Sequence, residues 1–284
     1  MGAADGSIFK RQTVNAGGFE ISYLVGGDED TMDPVLFLHG LGGAGKWEAC
    51  HMALGTTALT YLPQLPGWRE GQAPDTLTAV KDYARLTVDL MDALELEQVT
   101  LVGHSIGGWI ALWVAAQNPT RINRMILADP LGLDVPSAPA SNLGDLDEES
   151  FAKAVFAKLG LIATAQPDGF GAEWENVRRG PEFERQWKGR GLVAGLTEGG
   201  NADPDLTRNL PSVTADTLLV WGRQDGLAPL EHGEALRVAL PNSRLDVIDG
   251  CGHLPMVEKP ETFNRMVRDF LVGVVEEIPD VVRV

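Results

Sequence analysis

Short apolar runs separated by amphipathic stretches organise this chain. The runs are PVLFLHG (34–40), TALTYL (57–62), VTLVGHS (99–105), RMILADP (124–130), TLLVWGRQD (217–225) and RLDVID (244–249). Val, Leu and Ile fall on both faces of each, as strands covered by helices on either side require. An earlier run, FEISYLVGG (19–27), alternates more and predicts an antiparallel strand at the leading edge. Residues 76–94 place Leu77, Val80, Ala84, Val88, Met91 and Leu94 at spacings of three and four behind Asp75 as N-cap. Residues 261–272 place Phe263, Met266, Val267 and Phe270 on one face behind Pro260. This alternation predicts an α/β fold whose mostly parallel central sheet of about eight strands is flanked by helices.

The alternation stops between Leu131 and Leu210. An acidic opening dotted with Pro and Gly, DVPSAPASNLGDLDEES, leads into helical pieces carrying Phe151, Phe156, Phe170, Trp174, Phe183 and Trp187. A segment this long is too large for a plain loop. It is expected to form a helical cap over residues 131–210, on a core built from 1–130 and 211–284. The aromatics read as the cap's own small core, with a few left to face a pocket.

Charge narrows the partners. A net charge of −17 over 284 residues repels nucleic acid and anionic membranes and biases the chain toward neutral or cationic small molecules. Two cysteines, Cys50 and Cys251, give neither a disulfide framework nor metal-ligand spacing, and read as buried reduced thiols. The opening MGAADGSIFKRQ lacks the apolar run of a signal peptide and misses the myristoylation pattern at Gly6. The longest apolar run, Trp109 to Ala116, falls short of the ~20 residues of a membrane span. The expectation is a soluble, cytoplasmic protein acting on a small molecule, its oligomeric state open.

The chemistry starts at Gly103-His104-Ser105-Ile106-Gly107, a G-x-S-x-G pattern. With 33 glycines in the chain, the pattern alone could arise by chance. Its setting adds more: an apolar strand precedes Ser105 and a helical run, SIGGWIALWVAAQ, follows it. That is the strand–turn–helix context of a nucleophile elbow, where glycines permit close packing around a strained serine. The helix that follows offers unpaired N–H groups, including that of Ile106, to developing negative charge.

Four segments together resemble the α/β-hydrolase superfamily over nearly the whole chain, in the branch with a helical cap between strands six and seven. FLHGLGG (37–43) is similar to the oxyanion turn and VGHSIGGW (102–109) to the elbow. VWGRQDGLAP (220–229) is similar to the acid-bearing loop and GCGHLPMVEKPETFN (250–264) to the histidine loop. The resemblance implies Ser105 as nucleophile, His253 as base and Asp225 as acid, in that chain order. It also implies the amides of Leu41 and Ile106 as oxyanion donors. Asp129, ending the sixth strand, is a rival acid because some relatives place it there. His39 is expected to shape the oxyanion turn. His104 should point away from Ser105, since strand neighbours alternate. His51 and His232 read as surface or half-buried residues. Trp68 and Trp109 are candidate pocket walls.

Two departures stand out. The loop after the fourth strand reads QLPGWREGQ (64–72) where relatives carry D-x-P-G-x-G-x-S, and Gly43 replaces a proline that carbon–carbon hydrolases of ring-fission products carry. Dehalogenases and epoxide hydrolases of this fold use an elbow aspartate, so Ser105 points away from both. The resemblance therefore implies a serine carboxylesterase for small or medium, mainly hydrophobic esters, with no metal or organic cofactor. The alternatives are a carbon–carbon hydrolase acting on vinylogous diketones, or a binding protein that retains the triad.

Overall fold

A computed structural model describes residues 9–28, 33–44, 48–68, 73–157, 181–197, 200–274 and 277–284. Among them, nine strands form one sheet in the order β1-β2-β4-β3-β5-β6-β7-β8-β9. They are β1 (Phe9–Ala16), β2 (Phe19–Gly26), β3 (Val35–Leu38), β4 (Thr60–Pro63), β5 (Val99–His104), β6 (Ile122–Ala128), β7 (Asp216–Gly222), β8 (Ser243–Ile248) and β9 (Val281–Arg283). From β4 through β8 neighbouring strands are parallel, while β1, β2 and β9 pair antiparallel at the two edges. The apolar runs locate β2 to β8. They miss β1, whose four central exposed positions Lys10–Thr13 give it no apolar run, and β9, which is three residues long.

The helices are α1 (Ala49–Gly55), α2 (Val80–Ala93), α3 (Ile106–Gln117), α4 (Glu148–Val155), α5 (Pro181–Leu196), α6 (Pro204–Asn209), α7 (Leu230–Ala239), α8 (Pro255–Glu258) and α9 (Pro260–Val272). The last meets its predicted span almost to the residue. The second starts later than predicted, because its cap comes from inside. The carboxylate of Asp82, not Asp75, accepts the amides of Thr78 and Ala79, each at 2.9 Å.

Burial explains the central helix. Every residue of α3 from Ile106 to Ala115 is buried, so it packs on all sides and shows no polar face. Leu36, Leu38, Leu101 and Leu127 point to the α3 side of the sheet, while Val35, Phe37, Val102 and Ile126 point to the α9 side. Between β6 and β7 lie α4, α5 and α6. Their aromatics do cluster: Phe151, Phe183 and Trp187 have ring centroids 5.6–6.1 Å apart. That cluster is continuous with the core rather than closed on itself. Phe170 and Trp174 fall outside the described residues.

Candidate active site

Every group of the predicted site sits at the C-terminal edge of the parallel strands, where loops replace the ladder and side chains can converge. Ser105 follows β5 directly and caps α3 with φ 56° and ψ −122°, a strained conformation for a residue with a side chain. Its neighbours make the strain tolerable. A Cβ on Gly107 would lie 2.2 Å from the Leu38 carbonyl oxygen, and one on Gly103 would lie 2.6 Å from that of Gly107. Only hydrogen fits at either place, and this is the steric content of the G-x-S-x-G pattern.

Ser105 Oγ and His253 Nε2 are 2.8 Å apart, and His253 Nδ1 is 2.7 Å from Asp225 Oδ2. Residues 105, 225 and 253 are all buried, with Ser105 and His253 at 0% exposure. The other carboxylate oxygen of Asp225 accepts the amides of Leu227 and Ala228, at 2.7 and 3.0 Å. These bonds fix the carboxylate and stabilise its charge. Asp129, the rival acid, makes no bond to the imidazole and accepts the Gly222 amide at 2.9 Å instead.

The imidazole is also held through its backbone. The His253 amide donates to the Val155 carbonyl at 2.8 Å, and His104 Nε2 meets the His253 carbonyl at 2.8 Å. Since the partner is a carbonyl, His104 is the donor there. Burial, reinforced by the charges of His253 and His39, holds its pKa down to about 3, so it stays a neutral Nε2–H tautomer. A carboxylate completes this frame. Glu258 Oε2 accepts the Ala157 amide and Oε1 the Gly252 amide, both at 2.9 Å. Burial pushes its carboxyl up to about 7 although backbone amides pull it down. Sequence reading assigned neither residue a task, because the partners of both are backbone groups, which leave no sequence signature.

The turn carrying Leu41 lies beside the serine, where a Cβ on Gly40 would come 3.2 Å from that of Ser105. His39 shapes this turn as expected. Its Nδ1 meets the Gly40 carbonyl at 2.8 Å and its Nε2 accepts the Leu65 amide at 3.1 Å. Burial lowers its pKa to about 4. Gln64, the residue that departs from the usual loop, accepts the Ala44 amide at 2.9 Å and so braces the same turn. Among the described residues, no backbone carbonyl takes the amide of Leu41 or Ile106.

Several expectations change. Trp68 is buried behind the oxyanion turn, edge-on to His39 and Tyr83 at 4.9 and 5.6 Å. Trp109 lies one helical turn beyond Ser105, under Gly132, and borders a groove between the start of α2 and residues 196–203. A separate cleft of about 40 Å³ is bordered by Gly40, Glu48, His104, Gln186, Leu254 and Met256 among others. His51 and His232 are buried, not superficial. His51 accepts the Glu48 amide at 3.0 Å and His232 meets the Ala138 carbonyl at 2.7 Å. Both cysteines are buried free thiols, as their sequence setting indicates. Among the described residues no helix is long and apolar enough to cross a membrane.

Comparison with known proteins places the chain in a family. A profile described as alpha/beta hydrolase fold matches residues 33–260. The chain is 30% identical to 2-hydroxy-6-oxo-6-phenylhexa-2,4-dienoate hydrolase of Burkholderia cepacia, over 95% of this chain and 98% of that one. A membrane phospholipase A structure, 26% identical, superposes with a TM-score of 0.71 over 94% of this chain and 86% of that one. A thermophilic esterase from Thermogutta terrifontis, 25% identical, gives 0.66 over 93% and 98%. The chain belongs to the alpha/beta hydrolase fold family and is a hydrolase.

Proposed function

We propose that the protein is a serine hydrolase that cleaves carboxylic esters of small to medium, mainly hydrophobic substrates through an acyl-enzyme on Ser105. The observation that carries this reading is the continuous relay from Ser105 Oγ to His253 to Asp225, at 2.8 and 2.7 Å. Ser105 attacks the ester carbonyl carbon as its proton passes to His253 Nε2. The amides of Leu41 and Ile106 receive the oxyanion, each such donor contributing ~10²–10³ in turnover. On collapse the C–O bond breaks and the alcohol leaves with the proton held by His253. Water, deprotonated by the same nitrogen, then releases the acid and restores Ser105. Asp225 orients the imidazole and stabilises its cationic form.

The second reading is carbon–carbon cleavage, favoured by the 30% identity to the Burkholderia cepacia dienoate hydrolase. Charge supports the ester instead. A dienoate brings a carboxylate to a chain of net charge −17. A p-nitrophenyl ester series of varied acyl length, run beside a ring-fission dienoate, tests the choice. The ester reading expects the higher kcat/KM on an ester and none with Ser105→Ala; faster consumption of the dienoate reverses it.

A further inference from the structure

Asp129 directly follows β6, with φ 44° and 0% exposure. Its amide donates to the Val220 carbonyl at 3.0 Å, and its Oδ1 accepts the Gly222 amide at 2.9 Å. Its Oδ2 is equally buried and meets no N–H or O–H donor. An ionised carboxylate left in that state is costly, and the relay described above gives it no task.

What faces it is another acceptor. Carboxyl oxygens of Asp129 and Asp225 and a ring nitrogen of His253 all lie within 4.8 Å of one another. Both acids are buried, and the Oδ2 of Asp129 has no other partner. Two carboxylates this close in a dry interior cannot both be ionised, and a shared proton satisfies both. Donor count says which acid carries it. Asp225 receives two amides and the His253 N–H, three donors that favour its anion. Asp129 receives one.

Glu258 on α8 and Cys251 in the histidine loop face the pair, and His232 on α7 senses Asp225. Lys259, next to α8, acts on Cys251 with the opposite sign. Burial first, then the charge of Asp225, raises its pKa well above the ordinary carboxylate range.

We propose that Asp129 is a protonated carboxylic acid whose Oδ2–H donates to the Asp225 carboxylate, making it a positioning residue for the catalytic relay. The proposal rests on the serine-hydrolase reading. The donated proton adds a fourth donor to Asp225 and disperses the negative charge beside His253. Asp129 is then not a spare acid for the relay but the donor that tunes it.

Asparagine imitates a protonated aspartic acid: its oxygen can accept from Gly222 and its N–H₂ can donate to Asp225. Asp129→Asn should keep kcat within about threefold and leave the acidic limb of kcat/KM in place. Asp129→Leu, similar in volume but without a donor, should lose about tenfold or more in kcat and move that limb upward. If Asp129 were ionised, Asp129→Asn would delete a charge beside His253 and lower the limb by a unit or more, overturning the proposal. A loss as large as that of Asp225→Asn would overturn it too.

Infrared difference spectroscopy reads the proton without activity. In the wild-type minus Asp129→Asn difference spectrum, recorded at about pH 9 where Glu258 is ionised, a protonated-carboxyl band should be present; its absence refutes the idea even if Asp129→Leu does not fold. Wild-type protein that neither hydrolyses esters nor labels with a fluorophosphonate would instead defeat the serine-hydrolase reading, leaving the infrared result to judge the proton alone.

Discussion

Gly189 in α5 lies so close to Leu41 that a Cβ there would sit 1.9 Å from the Leu41 carbonyl oxygen. The helical segment between β6 and β7 therefore rests on the peptide that follows the proposed oxyanion donor, the Leu41 amide. Gly189→Ala has to push α5 away or tilt that peptide. It should cost ~1–3 kcal/mol in urea unfolding and lower kcat by about tenfold or more. Gly191, two residues on, has nothing within 4 Å of the same added atom. Gly191→Ala should stabilise the protein by ~0.5–1 kcal/mol and leave kcat alone. Two substitutions of the same kind in one helix should thus act with opposite sign.

Asp225→Asn keeps the shape of the acid and removes its charge. Turnover on an ester should fall by ~10³–10⁴ while the fold persists, as unfolding midpoint and steady-state kinetics would show. A larger loss with Asp129→Asn would make Asp129 the acid of the relay.

His104→Ala removes the donor that meets the His253 carbonyl at 2.8 Å. A buried carbonyl left without its partner costs ~1–3 kcal/mol. Because that carbonyl belongs to the proposed base, His253, kcat should fall by about tenfold with KM little changed.

Two groups of the frame leave opposite marks on stability against pH. Folding holds His104 down to about 3, so the unfolded chain binds more protons below ~6.5 and the folded state loses about 1.4 kcal/mol per pH unit of descent in that window. His104→Asn should therefore narrow its stability gap to the wild type as pH drops from 6.5 to 4. Glu258, raised to about 7, acts in the other sense: the folded state binds the extra proton, and its contribution falls as pH climbs from ~4.5 to 7. Glu258→Gln should be most destabilising near pH 5 and least above pH 7. Urea titrations at several pH values check both slopes.

The parallel strands and the nucleophile turn were legible because their signals are local. Val, Leu and Ile on both faces mark a strand between helix layers, and Gly103 and Gly107 mark a turn with no room for Cβ atoms. The order Ser105, Asp225, His253 was legible through four separated segments, and the structure brings these residues together. What stayed hidden depends on partners far away in sequence. His104 meets the carbonyl of residue 253, and Glu258 meets the amides of residues 157 and 252. Asp129 has a role only because β6 and β7 lie side by side, which brings it against Asp225. Trp109, one helical turn past Ser105, borders a groove with the start of α2.

The last turn of α4 gives its Ala154 carbonyl to the Gly226 amide and its Val155 carbonyl to the His253 amide, at 2.9 and 2.8 Å. One end of the segment between β6 and β7 is thus tied by backbone bonds to the two loops that carry Asp225 and His253. A displacement of the α4 end has to break those bonds or carry the His253 backbone with it, so this end of the segment and the histidine loop are mechanically one piece.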